Sequence, residues 1–175
     1  METLGKGKHL SLVSRNGWEF VKRNNVTGVV EIIAMTEDAE LLLVEQWREP
    51  VQARVLELPA GLVGDVNKDE AFEEAAQREL IEETGYKAQK IHRLLDSPAL
   101  AGASAEILTF VLANGLEKVS EGGGDDSENI EVHKVSPFDF DKFADEKKLE
   151  GVLIDSRIYA GLGLLLDFFK RTSIE

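Results

Sequence analysis

Length, composition and charge set the first limits on this protein. The chain has 175 residues, 43% of them hydrophobic, and no cysteine. This is the size of one domain with a full core, and the sequence has neither an N-terminal apolar signal segment nor the roughly 20 apolar residues that a membrane helix needs. The missing cysteines exclude disulfides and thiolate chemistry and agree with a reducing compartment. We therefore expect one cytoplasmic domain over residues 1–175, with no membrane partner.

The formal net charge is −13. A nucleic-acid backbone would be repelled over most of such a surface, so the charge argues against nucleic-acid binding. The alternative is that the charge serves only solubility. If the ligand is nevertheless an anion such as a diphosphate, divalent cations and a few placed arginines must cancel the repulsion locally.

The N-terminal part predicts strands, because it is rich in β-branched and aromatic residues between polar turns. The predicted strands cover residues 9–15, 18–23 and 27–35. The run LLLVEQW (41–47) is apolar enough for a buried strand. A short strand follows in VLELPAGLVGD (55–65), which ends in a loop at Pro59, Gly61 and Gly64.

A helix comes next, with Asp69 as the expected N-cap and Gly85 as the C-cap. Further strands are predicted at 89–96, 106–113 and 130–136, and the Gly-rich acidic segment 114–129 predicts a long loop, either disordered or functional. Ser136 and Pro137 predict a helix over 137–149, and 157–171 predicts a final amphipathic helix. The elements together indicate an α+β or α/β/α fold, with a mixed sheet between helices.

The helix before Gly85 breaks its own pattern. Its apolar stripe is formed by Ala75, Ala76 and Leu80. At 100° per residue, Glu79 and Glu83 fall inside this stripe and Glu82 at its edge. Buried like charges cost several kcal/mol unless they are compensated, and such oxygen clusters are what Mg²⁺ or Mn²⁺ binds. The alternative is a differently phased, solvent-facing helix, or pairing with Arg78 and lysines.

The spacing around these glutamates is specific. Residues 64–86 fit G-x5-E-x7-R-E-U-x-E-E-x-G-U, where U is a bulky apolar residue. By chance the fixed letters would recur in roughly 10⁻⁷ of windows. The segment resembles the box of the Nudix hydrolases, which implies an α/β/α sandwich, the Nudix fold. The resemblance also implies metal ligands at Glu79 and Glu83, a further ligand with a catalytic role at Glu82, and a catalytic Arg78 that orients a ligand carboxylate. Glu70 would fasten the loop to the helix, or be an ordinary exposed charge.

Two other stretches resemble the branch of ADP-ribose and nucleoside diphosphate sugar pyrophosphatases. These are WEFVKR (18–23) and VEQWREPVQARVLELPAG (44–61). The resemblance implies that Trp18 stacks on the base and that Glu19 and Arg23 bind the nucleotide. Arg48 would bind the diphosphate, and Glu57 would also contact the substrate. The backbone carbonyl of Ala60 would join the metal shell. For Trp18 the alternative is a strand residue that covers the core. Arg54 has no match and is expected to be a surface charge.

Relatives place a glutamate in a mobile loop before a late strand, and DDSENIEV puts Glu128 two residues before Ile130. By this resemblance Glu128 is the catalytic carboxylate that activates water or completes the metal shell, and Asp126 is the alternative. A merely solvated loop is the other interpretation. The segment SPALAGASAEILTF (97–110) is longer than the family's form, so Ser104 and Glu106 are weaker substrate-binding predictions and the sugar preference stays open.

The resemblance implies Mg²⁺-dependent hydrolysis of a nucleoside diphosphate sugar, such as ADP-ribose or GDP-mannose, to a nucleoside monophosphate and a sugar phosphate. Mn²⁺ is the expected substitute. It also implies a homodimer in which strands within residues 1–26 cross to the partner, with residues 27–175 as the catalytic core. Three alternatives stay open: a Nudix hydrolase of dinucleoside polyphosphates or nucleotides, a silent nucleotide-sugar binding module, and a purely structural protein with a solvated acidic helix.

Overall fold

The computed structural model describes residues 1–124 and 129–172, and within these ranges the strands form two sheets. The strands are β1 (Glu2–Lys6), β2 (Leu10–Arg15), β3 (Trp18–Arg23), β4 (Gly28–Met35), β5 (Leu41–Arg48), β6 (Ala53–Glu57), β7 (Ala60–Val63), β8 (Tyr86–Pro98), β9 (Ile107–Lys118), β10 (Glu131–Val135) and β11 (Leu153–Ile154). The first three form a small antiparallel sheet of their own. These three N-terminal strands are therefore separate from the main sheet, in agreement with the predicted extra N-terminal strands.

The large sheet has the order β11-β6-β5-β4-β9-β8, with β10 paired to β5 and β7 paired to β4. The pairs β4–β9 and β11–β6 are parallel, whereas the other pairs are antiparallel. Strand β4 lies in the middle and is buried almost throughout, because its side chains alternate between two covered faces. The mixed sheet of the prediction is confirmed.

Helices cover both faces of this sheet. They are α1 (Phe72–Thr84), α2 (Phe140–Leu149) and α3 (Ser156–Thr172). The apolar stripe of α1 packs with Val30 and Ile32 of β4 on one face. On the other face, Phe140 of α2 and Ile158 of α3 pack with Ile33. The architecture is the expected α/β/α sandwich, and none of the three described helices is long and apolar enough to cross a membrane.

The ends of two helices differ from the prediction. Helix α1 begins at Phe72, so Asp69 is not its N-cap: the backbone N–H of Ala71 donates to the Glu74 carboxylate at 3.1 Å instead. Helix α2 begins at Phe140, because the Ser136 carbonyl first accepts a turn hydrogen bond from the N–H of Asp139 at 2.9 Å. Gly85 is the C-cap of α1, as predicted, with a φ of 78° that favours glycine.

The strands next to the acidic loop are longer than predicted. Antiparallel pairing of β8 with β9 continues to Tyr86 and Lys118, which shortens the loop before β10. Strands β1 and β11 were not predicted at all, and the loop predicted around Gly61 is instead strand β7; β11 has only two residues. Such short strands are defined by their partners and leave little periodicity in the sequence.

Candidate active site

A cavity of about 770 Å³ opens where α1, β4 and β7 meet. It brings together most of the predicted site residues: Arg23, Arg48, Glu57, Ala60, Arg78, Glu79, Glu82, Glu83 and Glu106. Trp18, Glu19 and Ser104 do not line it. Glu128 and its alternative Asp126 lie outside the described residues, so their roles stay predictions.

The three box glutamates occupy the orientations that the helical period predicts. Glu83 is buried, the Glu79 side chain is 13% exposed, and Glu82 is 41% exposed at the edge. The alternative of a wholly solvent-facing acidic helix is therefore wrong. Two carboxylates of α1 point into the interior of the fold, beside the strand that carries Ala60.

The strand β7 approaches α1 very closely at the cavity wall. The backbone N–H of Ala60 donates to Oε2 of Glu83 at 3.0 Å. Next to it, a Cβ on Gly61 would lie only 1.9 Å from Cδ of Glu79. Position 61 must therefore be glycine for the Glu79 carboxylate to occupy its place.

Arg78 connects the helix to the loop before it. Its Nη1 donates to Glu79 at 2.7 Å, its Nε to Glu70 at 3.0 Å, and its Nη2 to the carbonyl of Leu62 at 3.0 Å. Glu70 in turn accepts from the backbone N–H of Gly64 at 3.3 Å, and the Arg78 hydrogen bond lowers the Glu70 pKa. Glu70 thus links the loop to the helix through its hydrogen bonds with Gly64 and Arg78, and Arg78 orients one oxygen of Glu79.

The electrostatics of the α1 wall fit a divalent cation. Burial raises the pKa of Glu79 to about 6, although Arg78 attracts the ionised form. The ionised carboxylate is therefore energetically unfavourable at this place unless a cation compensates it. Arg78, the one cationic residue of α1, contacts Glu79 at 2.7 Å and Glu82 at 3.9 Å. These carboxylate oxygens form a hard donor set of the kind that Mg²⁺ and Mn²⁺ bind.

A second cluster of charged residues in the lining of the cavity is centred on Arg157, which sequence reasoning missed. Arg157, at the start of α3, contacts the carboxylates of Glu31 and Asp155, and donates to Glu57 at 3.1 Å. Glu57 also accepts from Nε of Arg48 at 2.7 Å. The signal for Glu31 was present, because it is the one charged residue in the apolar strand GVVEIIAM.

Burial has a large effect on the pKa values of the acidic residues around Arg157. It raises the pKa of Glu31 to about 8, despite the neighbouring guanidinium of Arg157. It also raises the pKa of Glu57 against the attraction of Arg48. Burial opposes ionisation of Asp155 as well, but the hydrogen bonds from Arg157 outweigh it and lower the Asp155 pKa. Burial therefore favours the protonated form of Glu31, next to the guanidinium of Arg157.

The end of β3 reaches the mouth of the cavity. The backbone of Val21 bonds to Ala103 and Ala105, which sets Arg23 against Glu106 in an ion pair. Ser104 stands behind this pair and accepts from the N–H of Glu106 at 3.1 Å. Arg23 therefore faces the cavity of its own chain. Trp18 is 64% exposed, so the alternative that it covers the core is wrong, and its stacking role stays a prediction.

A separate Glu-Glu-His cluster lies away from the box, at Glu45, Glu131 and His133. Lys147 contacts Glu45 at 2.9 Å, and Arg54 donates to both the side chain and the backbone of Glu45. Burial opposes ionisation of Glu45, but the hydrogen bonds of Arg54 and Lys147 lower its pKa to about 2. Arg54 is therefore a partner of a buried carboxylate and not the expected surface charge. With two cations already present, this cluster is a poor cation site.

Comparisons with known proteins identify the family of this chain. The chain is 31% identical to a methanol dehydrogenase activator of Bacillus methanolicus and 32% identical to an ADP-ribose pyrophosphatase of Bacillus subtilis (strain 168), each over 70% of this chain. In both cases the match spans 65% of the relative's length. A solved structure of an ADP compounds hydrolase superposes with a TM-score of 0.73 at 21% identity, covering 98% of this chain and 92% of that one, which shows the shared fold. The model of the NUDIX domain matches residues 23–159, and the chain therefore belongs to the NUDIX family.

Proposed function

We propose that the protein hydrolyses the diphosphate bond of a nucleoside diphosphate sugar with the help of Mg²⁺. The observation that carries the proposal is that one cavity of about 770 Å³ is lined both by the carboxylates of α1 and by Arg48. This pairing meets the requirement set by a net charge of −13, because cations and arginines can offset the repulsion of a diphosphate locally. The name of the Bacillus subtilis relative supports the substrate class.

The residues of α1 would hold the metal. We assign Glu79 and Glu83 as the main ligands, with Glu82 and the carbonyl of Ala60 beside them. When bound, Mg²⁺ supplies charge stabilisation and a water of lowered pKa. Arg78 keeps one Glu79 oxygen oriented, and Mn²⁺ is expected to replace Mg²⁺ because it favours the same oxygen ligands.

The remaining roles concern the substrate. Arg48 would bind the diphosphate oxygens with its free fork, since its hydrogen bond in the described part of the chain uses only Nε. Arg23, with Glu106 and Ser104 behind it, would contact the nucleotide at the mouth of the cavity. We assign Glu128 as the carboxylate that takes a proton from the attacking water, with Asp126 as the alternative. By resemblance alone, Trp18 is assigned to stacking on the base and Glu19 to binding of the nucleotide.

The test is a Mg²⁺-dependent hydrolysis screen in ¹⁸O-labelled water over ADP-ribose, GDP-mannose, dinucleoside polyphosphates and nucleoside triphosphates. We expect a nucleoside monophosphate and a sugar phosphate as products, with the label in one of them, because water attacks one phosphorus in line. Cleavage of polyphosphates alone would favour the alternative substrate class. Tight ADP-ribose binding without cleavage would identify a binding module.

We further propose that the protein is a cytoplasmic homodimer, with the strands of residues 1–26 at the interface and residues 27–175 as the catalytic core. The support is an exposed apolar face on the small sheet, formed by Leu10 and Leu12 of β2 and by Val21, which lies opposite Leu12 on β3. Such a face favours association.

Sedimentation at micromolar concentration should give a dimer, and Leu12→Asp should give a monomer. The control is Val119→Asp, at an exposed valine outside this sheet. A monomeric unmodified protein would contradict the proposal.

A further inference from the structure

Arg157 occupies a fixed place at the start of α3. The strand β11 runs parallel to β6, and the N–H of Asp155 continues this link by donating to the carbonyl of Leu56 at 2.9 Å. Asp155 then accepts from both the backbone N–H and Nε of Arg157, each at 2.8 Å. The guanidinium is therefore anchored to the strand that also carries Glu57.

From this anchor, the guanidinium reaches two carboxylates in the cavity wall. Its Nη1 bonds to Glu31 and its Nη2 to Oε1 of Glu57 at 3.1 Å. The second oxygen of Glu57 accepts from Nε of Arg48 at 2.7 Å. Glu57, only 5% exposed, thus stands between two guanidinium groups and uses a different oxygen for each.

The two arginines differ in how their donors are used. Arg157 has Nε, Nη1 and Nη2 all engaged by carboxylates. Arg48 is 41% exposed, lines the cavity, and makes its hydrogen bond within the described residues through Nε alone. Because a guanidinium is planar, fixing Nε sets the direction of the two terminal nitrogens. Arg48 therefore has a fixed direction and two terminal nitrogens left for a ligand, whereas each nitrogen of Arg157 already bonds to a glutamate or aspartate side chain.

We propose that Arg157 is a positioning residue: it fixes the Glu57 carboxylate, and Glu57 in turn fixes the Arg48 guanidinium toward the diphosphate of the substrate. The inference rests on the proposed function, since it takes a diphosphate as the ligand of Arg48. It assigns Arg157 no contact with the substrate. Misplacing a binding group by about 1 Å can cost about 100-fold in rate, so a defined Arg48 orientation matters for turnover.

The test is a double-mutant cycle between positions 157 and 48. Arg157→Lys keeps the charge but loses the forked contacts, so the Kd for α,β-methylene-ADP and the KM for the hydrolysed nucleotide sugar should each rise about 10-fold. Added to Arg48→Ala, the same change should alter either constant by less than about 3-fold, because its effect passes through Arg48. Equal effects in both backgrounds would overturn the proposal.

Two further variants separate positioning from folding. Arg171→Gln, on the exposed part of the same helix, is the control and should leave both constants unchanged. Glu57→Gln keeps both guanidinium groups and weakens only the bridge, so it should reproduce the loss seen in Arg157→Lys. A folded Glu57→Gln protein with unchanged Kd and KM would also overturn the proposal. If the protein binds α,β-methylene-ADP but hydrolyses nothing, the proposed function fails, while the coupling in Kd still decides the role of Arg157.

Discussion

Replacing Glu83 with glutamine is expected to lower Mg²⁺-dependent hydrolysis by at least about 100-fold while the protein stays folded. Glutamine keeps the shape of the side chain but removes the anionic oxygen that would bind the metal. Even residues that only support metal ligands cost about 10- to 100-fold when they are changed, so a ligand should cost at least the upper end of that range. Glu83 lines the cavity and accepts from the backbone N–H of Ala60 at 3.0 Å, so its carboxylate is fixed at the proposed metal site.

The matched control is Glu73→Gln, which removes the same charge from an exposed position of α1. Initial rates should be measured over a Mg²⁺ titration, with thermal melts in EDTA to show that both variants fold. The Glu83 variant should lose both rate and apparent Mg²⁺ affinity, while the control matches the unmodified protein. Unchanged rate and affinity in Glu83→Gln would instead show that Glu83 is not a metal ligand and has only a structural role in α1.

The box was predictable because its geometry is local. The 3.6-residue period alone places Glu79 and Glu83 on the side of Leu80, and the structure confirms this. The C-cap at Gly85 is also predictable from nearby residues, because a helix commonly ends at a residue in the left-handed conformation and glycine is favoured there. The start of α1 was less predictable, because several polar residues precede it and the side chain of Glu74 satisfies the first turn.

The cluster around Arg157 was not predictable in the same way. Arg157 and Glu31 are 126 positions apart, and only the assembly of α3 against the centre of the sheet brings them together. No local period encodes that contact. A single charged residue in a buried strand, such as Glu31, nevertheless allows a prediction. Because an unpaired buried charge is costly, such a residue indicates a buried partner or a functional role. Arg54 shows the same limit, because its partner Glu45 lies on a neighbouring strand.

Glu31→Gln is expected to remove much of the fall in stability between pH 5 and pH 9. Burial raises the Glu31 pKa from its ordinary value of 4.5 to about 8. In this window the unfolded chain releases a proton that the folded protein retains, so the free energy of unfolding decreases as pH rises. The contribution is complete below the unfolded pKa and is lost as pH passes through the folded one. The gap between the two pKa values corresponds to at most about 5 kcal/mol.

Thermal melts in EDTA from pH 5 to pH 9 measure this effect without metal binding at the cavity, which would itself add stability. At pH 5 the variant and the unmodified protein should melt together, since the neutral acid and the amide are similar. At pH 9 the variant should melt at least about 5 °C higher, given roughly 2 to 4 °C per kcal/mol for a chain of this size. Glu37→Gln, at an exposed position just after β4, should not change the profile. Because Glu45 has its pKa lowered to about 2, it loses its contribution only below pH 4.5, outside the measured range. Parallel profiles for the Glu31 variant and the unmodified protein would show that Glu31 is ionised throughout, with Arg157 fully compensating its burial.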